Sequence, residues 1–423
     1  MSSKALRVVL CLVIALIVPL SLVYFAFGLP PQYGETYLAA LPLKWDRLRA
    51  AESPRMILVG GSGTVFDVRS DLLEQEFPDY DVVNFGLYAG LGTTVMLDLA
   101  LTQVSEGDIL IFMPELSGQT LSTFFSAETL WQACDGRQDI LLALNGDYRT
   151  SMLGAFPAFA ASKARLAWGG SAPAGDRIYA RSSVNAYGDM DAPGRERNVM
   201  PGGFDGNMPL RFDLTLPTDD FLSKINAASD CCDSKGVSLY YRFCPMNSAA
   251  IPEGEADGLD AFVFSLNDRL LCDILGDPSE SLMESGWFYD TNFHLNESGA
   301  VAATALLAED LHIALGDGQA VSFDVPVMPA LNDDVLFAGD NSDEACFLYE
   351  GDRVIGLTAE GLERVTLTLP VSHGNEPVTS LDAGVFAGND RLKEVVVQRN
   401  LRSIPDGAFS GCTALERIVI ENP

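Results

Sequence analysis

The sequence predicts an α/β protein in which a parallel sheet is wrapped by helices, with one apolar helix ahead of it and a short repeat array behind. Three observations carry that prediction. Between Arg55 and Leu315, short apolar runs ending in turn residues alternate with segments of helical period, and strands joined by helical crossovers pair in parallel. Val8 to Gly28 is an uncharged apolar stretch, and the residues after Gly361 repeat with an offset of 23.

The apolar stretch, VVLCLVIALIVPLSLVYFAFG, is long enough to cross a hydrocarbon core of about 30 Å as one helix. Lys4 and Arg7 precede it. Positive charge is retained on the cytoplasmic side, so residues 1–7 are expected inside, 8–28 in the membrane and everything after them outside. A cleaved signal peptide fits less well, because the stretch exceeds an h-region of about 7–15 residues and Gly28-Leu29-Pro30-Pro31 is a poor cleavage site.

Residues 29–54 read as a linker, broken from the helix by Pro30-Pro31 and polar from Tyr37 to Glu52. Arg55 to Val59 is an apolar run closed by Gly60-Gly61, as expected of a buried strand. Further strands are predicted at Asp81 to Phe85, Asp108 to Met113 and Val237 to Phe243, with helices at Thr94 to Val104, Asp219 to Cys232 and Ala300 to Leu315. Residues 117–210 interrupt that rhythm with many Gly, Pro and Ser and with Trp131 and Trp168. They read as an insertion beside the site, either a lid or a structural cap. The α/β domain is therefore placed at 55–320, a transition segment at 321–360 and the repeats at 361–423.

Composition excludes several functions. Lys and Arg number 27 against 58 Asp and Glu, a formal net charge of -31, which is the opposite of a phosphate-neutralising surface and excludes a nucleic-acid partner. The eight cysteines show no paired CxxC spacing and are sparse for a disulfide scaffold. Outside the membrane, Cys231, Cys232 and Cys244 can either oxidise or serve as small buried apolar residues. No His-Glu-x-x-His or similar ligand set occurs, so neither a metal nor a cofactor is expected.

Ser62 is the first candidate for chemistry. It follows the first strand in Val59-Gly60-Gly61-Ser62-Gly63-Thr64, where glycines let the chain turn sharply and bring backbone N–H groups close to a reacting atom. The segment lacks the Gly-x-Ser-x-Gly elbow, since Thr64 takes the last position, and no lysine follows to make a phosphate-binding loop. Of the three histidines, His312 lies in an apolar helix and His373 in the repeat region, which leaves His294 in a loop just before a helix start at Asn296. Asp290 stands four residues upstream, able to orient His294 and stabilise its imidazolium as a nucleophile–base–acid triad requires.

With these residues in place the sequence resembles the SGNH (GDSL-like) hydrolase family over about Arg55 to Leu315, in particular its membrane-anchored extracytoplasmic branch, which includes proteins of cell-envelope polysaccharide O-acetylation. The resemblance implies a flavodoxin-like three-layer fold, with Ser62 as nucleophile, His294 and Asp290 as base and acid, and Gly86 of Asn84-Phe85-Gly86 joining Ser62 as a backbone oxyanion donor. Two departures stand out. The family's Gly-x-Asn-Asp after the third strand is replaced by Pro114-Glu115-Leu116-Ser117-Gly118, which puts Glu115 near the missing oxyanion asparagine and leaves Asn247 as a substitute donor. The family's Asp-x-x-His is here Asp-x-x-x-His, with Thr291 at the usual acid position.

The C-terminal units, in which Leu381-x4-Phe386-x5-Leu392 recurs as Ile404-x4-Phe409-x5-Leu415, resemble the BspA-like leucine-rich repeats of bacterial surface proteins. They imply a short solenoid. Together the resemblances imply a surface serine esterase or O-acyltransferase working on acyl, chiefly acetyl, groups of cell-envelope polysaccharide or of a small ester, with a protein partner for the repeats. The alternative is a catalytically inactive SGNH-like scaffold that serves as a surface binding or adhesion protein through those repeats.

Overall fold

In the computed structural model, residues 3–175, 178–331, 342–373, 376–398, 401 and 403–420 are described. Helix α1 (Ser3–Phe27) leads into α2 (Ala40–Ala50) and then into strand β1 (Arg55–Gly60). After β1 come α3 (Ser62–Phe66), α4 (Ser70–Glu76), β2 (Asp81–Asn84), α5 (Thr93–Leu101) and β3 (Ile109–Met113). Helices α6 (Ala127–Ala133), α7 (Gln138–Ala143), α8 (Gly146–Met152) and α9 (Phe156–Ala167) intervene before α10 (Asp219–Lys235) and β4 (Ser238–Tyr241). The domain closes with β5 (Met246–Asn247), α11 (Gly258–Asn267), β6 (Asp273–Ile274), β7 (Leu282–Met283) and α12 (Glu297–Leu315).

Five strands form the central sheet in the order β2-β1-β3-β4-β6, and each neighbouring pair is parallel. Because side chains alternate across a strand, β1 feeds two cores. Ile57 and Val59 join Val83, Leu110 and Phe112 in a cluster covered by α2, α5 and α10. Met56 and Leu58 join Val82, Ile109 and Ile111 in a second cluster covered by α4 and α12, through Leu73, Leu307 and Leu311. Helix, sheet and helix thus make three layers, consistent with the predicted α/β class. Two helices that leave the sheet end on left-handed glycines, Gly236 after α10 and Gly316 after α12, where a side chain would be strained.

Residues 29–54 are not a linker, since α2 lies in them and its Leu41, Trp45 and Leu48 join the core of the sheet, and three further expectations are narrowed by the structure. The 117–210 insertion contains α6 to α9, and Leu130, Trp131, Ile140, Tyr148 and Phe159 belong to the same core cluster as the sheet, so this part is a structural cap. Its α9 also receives the end of α1: Lys163 Nζ donates to Ala26 O at 2.8 Å and pairs with Asp135 at 2.6 Å, with both charged side chains buried. The 321–360 segment is not one linker, since Met328 and Pro329 pack on Gly286 of the α/β domain while its later part is folded into the repeat region. Finally, Cys134, Cys231, Cys232, Cys244, Cys272, Cys346 and Cys412 are all free thiols.

In the C-terminal region β8 (Phe347–Glu350) pairs antiparallel with β9 (Arg353–Leu357), which pairs in parallel with β13 (Ser380–Leu381). Strands β10 (Thr366–Thr368), β14 (Glu394–Val397) and β15 (Arg417–Ile420) form a parallel sheet in which Leu367, Val395 and Ile418 are in register. Strand β11 (Ser372–His373) pairs antiparallel with β12 (Glu376–Pro377). Phe386 and Phe409, equivalent in the predicted units, stack at 5.0 Å. These residues share a core with Phe347, Val354 and Leu392 that is separate from the clusters of the α/β domain, so the region starts before residue 361.

Candidate active site

The carboxyl end of β1 makes the site because the chain must turn there in very little space. A side chain at Gly60 would collide with Thr64 and Met113, and one at Gly61 would collide with the carboxyl of Glu115. Two glycines therefore let Ser62 begin α3 directly above the sheet edge. The adjacent strand β3 ends one residue before Pro114-Glu115, which brings Glu115 beneath the same turn.

Asp290 and His294 lie on a tight loop just before α12. Phe288 and Leu295 form an antiparallel bridge across it, Tyr289 N donates to His294 O at 2.7 Å, and Asn296 caps α12 by accepting from Gly299 N at 2.9 Å. Thus the extra residue in Asp-x-x-x-His is absorbed by loop closure. Ser62 Oγ is 2.8 Å from His294 Nε2, and His294 Nδ1 is 2.9 Å from Asp290 Oδ1. With the Nδ1 proton given to Asp290, Nε2 is left to accept from Ser62. Asp290 and His294 are buried, whereas Ser62 is partly exposed. The arrangement can therefore take a proton from a solvent-facing hydroxyl into a shielded imidazole.

Several supports were not visible in the sequence. His294 stacks on Phe66 with ring centroids 4.0 Å apart and planes within 5°. Arg195, from the insertion, donates to Phe66 O and Leu295 O at 3.3 and 3.0 Å, holding both sides of that stack. Tyr179, also from the insertion, donates to Asp290 Oδ2 at 2.5 Å, and burial followed by the Asp290 charge pushes its phenol pKa up. Asn292 anchors a further insertion loop by donating to Asp205 O and Met208 O. Nothing in a single sequence marks a tyrosine more than a hundred positions away as the partner of Asp290.

The sequence-predicted oxyanion donors are placed less simply. Gly86 N donates to Asn84 Oδ1 at 3.1 Å, so that amide closes a local turn instead of standing free. Asn84 is itself fixed, donating to Thr64 O and Asp189 Oδ1, while Lys44 reaches Asn84 O at 3.1 Å and also Gly188 O. Burial lowers Lys44 to about 7. Asn247 donates to Gly203 O at 2.8 Å and accepts from Ser285 Oγ at 2.9 Å. It thereby ties two loops together, a structural role in place of the expected oxyanion donor.

Glu115 lies beside the nucleophile turn, as its place after the third strand predicts. Its Oε1 accepts from Gly63 N at 2.8 Å and stands 3.5 Å from Ser62 Oγ, while Oε2 is buried with no hydrogen-bond partner. Desolvation pushes its carboxyl above the usual range, against the Gly63 N–H and the His294 charge. Behind it, Asp67 accepts from Leu295 N and Cys244 Sγ, each at 3.1 Å, and burial raises its pKa well above normal. Tyr37, whose hydroxyl is also buried and unpartnered, is raised by burial and then by the charges of Glu115 and Asp290. Among the described residues, no group of three or more His, Cys, Asp or Glu side chains is arranged to hold a metal ion.

A serine, a histidine and a carboxylate thus stand in one hydrogen-bonded line at the carboxyl end of a parallel sheet. No family model matches this chain. No curated protein matches it in sequence either. Among solved structures, the crystal structure of protein YxiM from Bacillus subtilis is similar at 12% identity and a TM-score of 0.30, over 63% of this chain and 58% of that one. The chain thus spans little more than half of that protein, and the likeness is too slight to bear on fold or function.

Proposed function

We propose that this protein is an extracytoplasmic serine esterase or O-acyltransferase of SGNH type, which removes or transfers acyl groups, chiefly acetyl, of cell-envelope glycans. The observation that carries the reading is the unbroken line from Ser62 Oγ through His294 to Asp290, with spacings of 2.8 and 2.9 Å. In the first step Ser62 Oγ bonds to the acyl carbon, its proton passes to His294 Nε2, and the carbonyl electron pair moves onto oxygen. Collapse expels the sugar alkoxide, which takes the proton back from His294. Water or a second sugar hydroxyl, deprotonated by the same imidazole, then attacks the acyl-serine, and collapse breaks the bond to Ser62 Oγ, which takes the proton back from His294. Water gives hydrolysis, and a sugar hydroxyl gives transfer.

The anchoring part of the proposal rests on α1. Leu16, Ile17, Val18, Leu20 and Val23 of that helix are exposed, as a lipid-facing helix requires. The other apolar helix of sufficient length, α12, is mostly buried in the protein and is a core element. Lys4 and Arg7 ahead of that helix favour a site outside the membrane, and the proposal reads the C-terminal units as a short leucine-rich solenoid for a protein partner. The competing scaffold reading draws on Glu115, a carboxyl where the family has an amide donor.

The deciding experiment is turnover of an activated acyl ester by the purified protein, together with covalent labelling by a fluorophosphonate. Ser62→Ala is expected to abolish labelling and to reduce turnover at least about a thousandfold, to the residue supported by binding and oxyanion contacts alone. Unchanged turnover in that variant would end the nucleophile assignment, and absence of both signals in the native protein would favour the scaffold.

A further inference from the structure

An oxyanion forming at the acyl carbon needs donors aimed at it, and around Ser62 the neighbouring amides are engaged elsewhere, leaving the Ser62 N–H as the one expected donor without a partner among the described residues. The Gly86 amide is turned to Asn84, the Gly63 amide to Glu115, and the Asn247 amide to Gly203. Glu115 fills the resulting gap. Its carboxyl presses on Gly61, so it lies along the nucleophile turn, and only Oε1 has a donor. A carboxylate with one oxygen buried and bare loses solvation without compensation. A carboxylic acid in the same place has a proton to give.

Resting on the serine-hydrolase reading, we infer that Glu115 works as a neutral carboxylic acid whose Oε2–H donates to the developing oxyanion, replacing the family's missing amide. The position of the proton follows from the contacts. Oε1 already faces the Gly63 N–H and must be the carbonyl oxygen, so the hydrogen sits on Oε2, the atom left without a partner. No proton is transferred in this role. Ser62 gives its proton to His294, the carbonyl π pair becomes the oxyanion, and the Glu115 proton stays on Glu115 while hydrogen-bonded to it.

Burial is what holds the acid neutral. Asp67 at the end of α3 and the Cys244 thiol beyond β4 lie against Gly63 next to Glu115. The Tyr37 hydroxyl, raised by burial and close enough to be raised further by the Asp290 carboxylate, lies on the side of the insertion and the base loop. The Gly63 and Glu115 N–H groups, the His294 charge and the Ser62 hydroxyl favour the ionised form, and desolvation outweighs them. Buried carboxyls with acidic neighbours stay protonated, and a neutral carboxylic acid is a competent oxyanion donor.

The test is the pH dependence of kcat/KM for a nitrophenyl acetate, using the full chain in detergent as native protein, Glu115→Gln, Glu115→Ala and Ser62→Ala. Native activity should fall on the alkaline side as Glu115 ionises. Glu115→Gln, which keeps a donor that cannot ionise, should stay within about tenfold of native at the optimum and lose the alkaline fall. Glu115→Ala should lose about 10²–10³-fold in kcat, the usual cost of one oxyanion donor, with a circular-dichroism spectrum like the native one. An alkaline fall that persists in Glu115→Gln would belong to Asp67 or Cys244 and overturn the inference, as would full activity in Glu115→Ala or a native-like fold with Glu115→Gln as inactive as Glu115→Ala. Absence of any Ser62-dependent turnover in the native protein would instead overturn the hydrolase reading, and this inference with it.

Discussion

Replacing Tyr179 by phenylalanine removes one oxygen atom and tests whether the insertion helps to build the site. Tyr179 donates to Asp290 Oδ2 at 2.5 Å, and the Asp290 side chain is 1% exposed. Without the hydroxyl, Oδ2 loses its donor in a place water reaches poorly. A hydrogen bond to a charged group is worth about 1.5–3 kcal/mol, and for a domain of this size each kcal/mol shifts the midpoint by about 2–4 °C. The expected fall in thermal midpoint is therefore about 3–12 °C. Because Asp290 also orients His294 at 2.9 Å, kcat should fall roughly tenfold for each 1.4 kcal/mol of that bond felt in the transition state. KM should be unchanged, since the hydroxyl faces the acid and not the mouth of the site. Scanning calorimetry and steady-state kinetics on Tyr179→Phe make the comparison. A midpoint within 1 °C of native and kcat within twofold would refute the reasoning and show the tyrosine to be mere filling.

Two other perturbations probe the joints of the molecule. Lys163→Met leaves Asp135 buried without its cation, and breaking a buried pair on one side costs about 3–5 kcal/mol, so a large drop in the thermal midpoint of the detergent-solubilised protein is expected, whereas an unchanged midpoint would show the pair to be dispensable. Cutting the chain between residues 331 and 342 should leave the α/β domain with its native midpoint and activity, because the C-terminal core is a separate cluster. Loss of both on calorimetry and ester assay would show that the C-terminal region supports the enzyme.

Where strands are long and wholly buried, the sequence was legible. RMILV before two glycines and DILIFM before Pro114 could hardly lie anywhere but in a parallel core, and they became β1 and β3. Ser62 and His294 were legible for a related reason: both sit at element boundaries where a polar residue has no capping or core role to explain it. Strand β6 was not, since Asp273–Ile274 pairs over only two positions and leaves no periodicity. The insertion stayed open between lid and cap because Gly, Pro and Ser between its short helices mask the apolar faces that pack on the sheet. Gly86 misled differently: a glycine after a strand marks a close turn, but which acceptor its amide meets depends on the Asn84 rotamer, held by Asp189 and Thr64 from other parts of the chain.

The Lys163 contact turns the first helix from a tether into a bracket. Lys163 Nζ occupies the carbonyl of Ala26 in the last turn of α1 while Asp135, its ion-pair partner, accepts from Gln32 N at 2.7 Å just beyond the helix. Phe25 packs edge-on against Trp168 at 5.0 Å. A helix gripped on both sides of its exit cannot pivot freely, so with α1 in a bilayer the Ser62 mouth would keep a set height and heading above the lipid surface. A flexible leash lets an enzyme search a hemisphere of solution and dilutes it accordingly. A rigid mount confines the search to one layer parallel to the membrane, where any acyl group within that layer meets the serine already facing it, and acyl groups above or below it are out of reach however weakly they are otherwise discriminated.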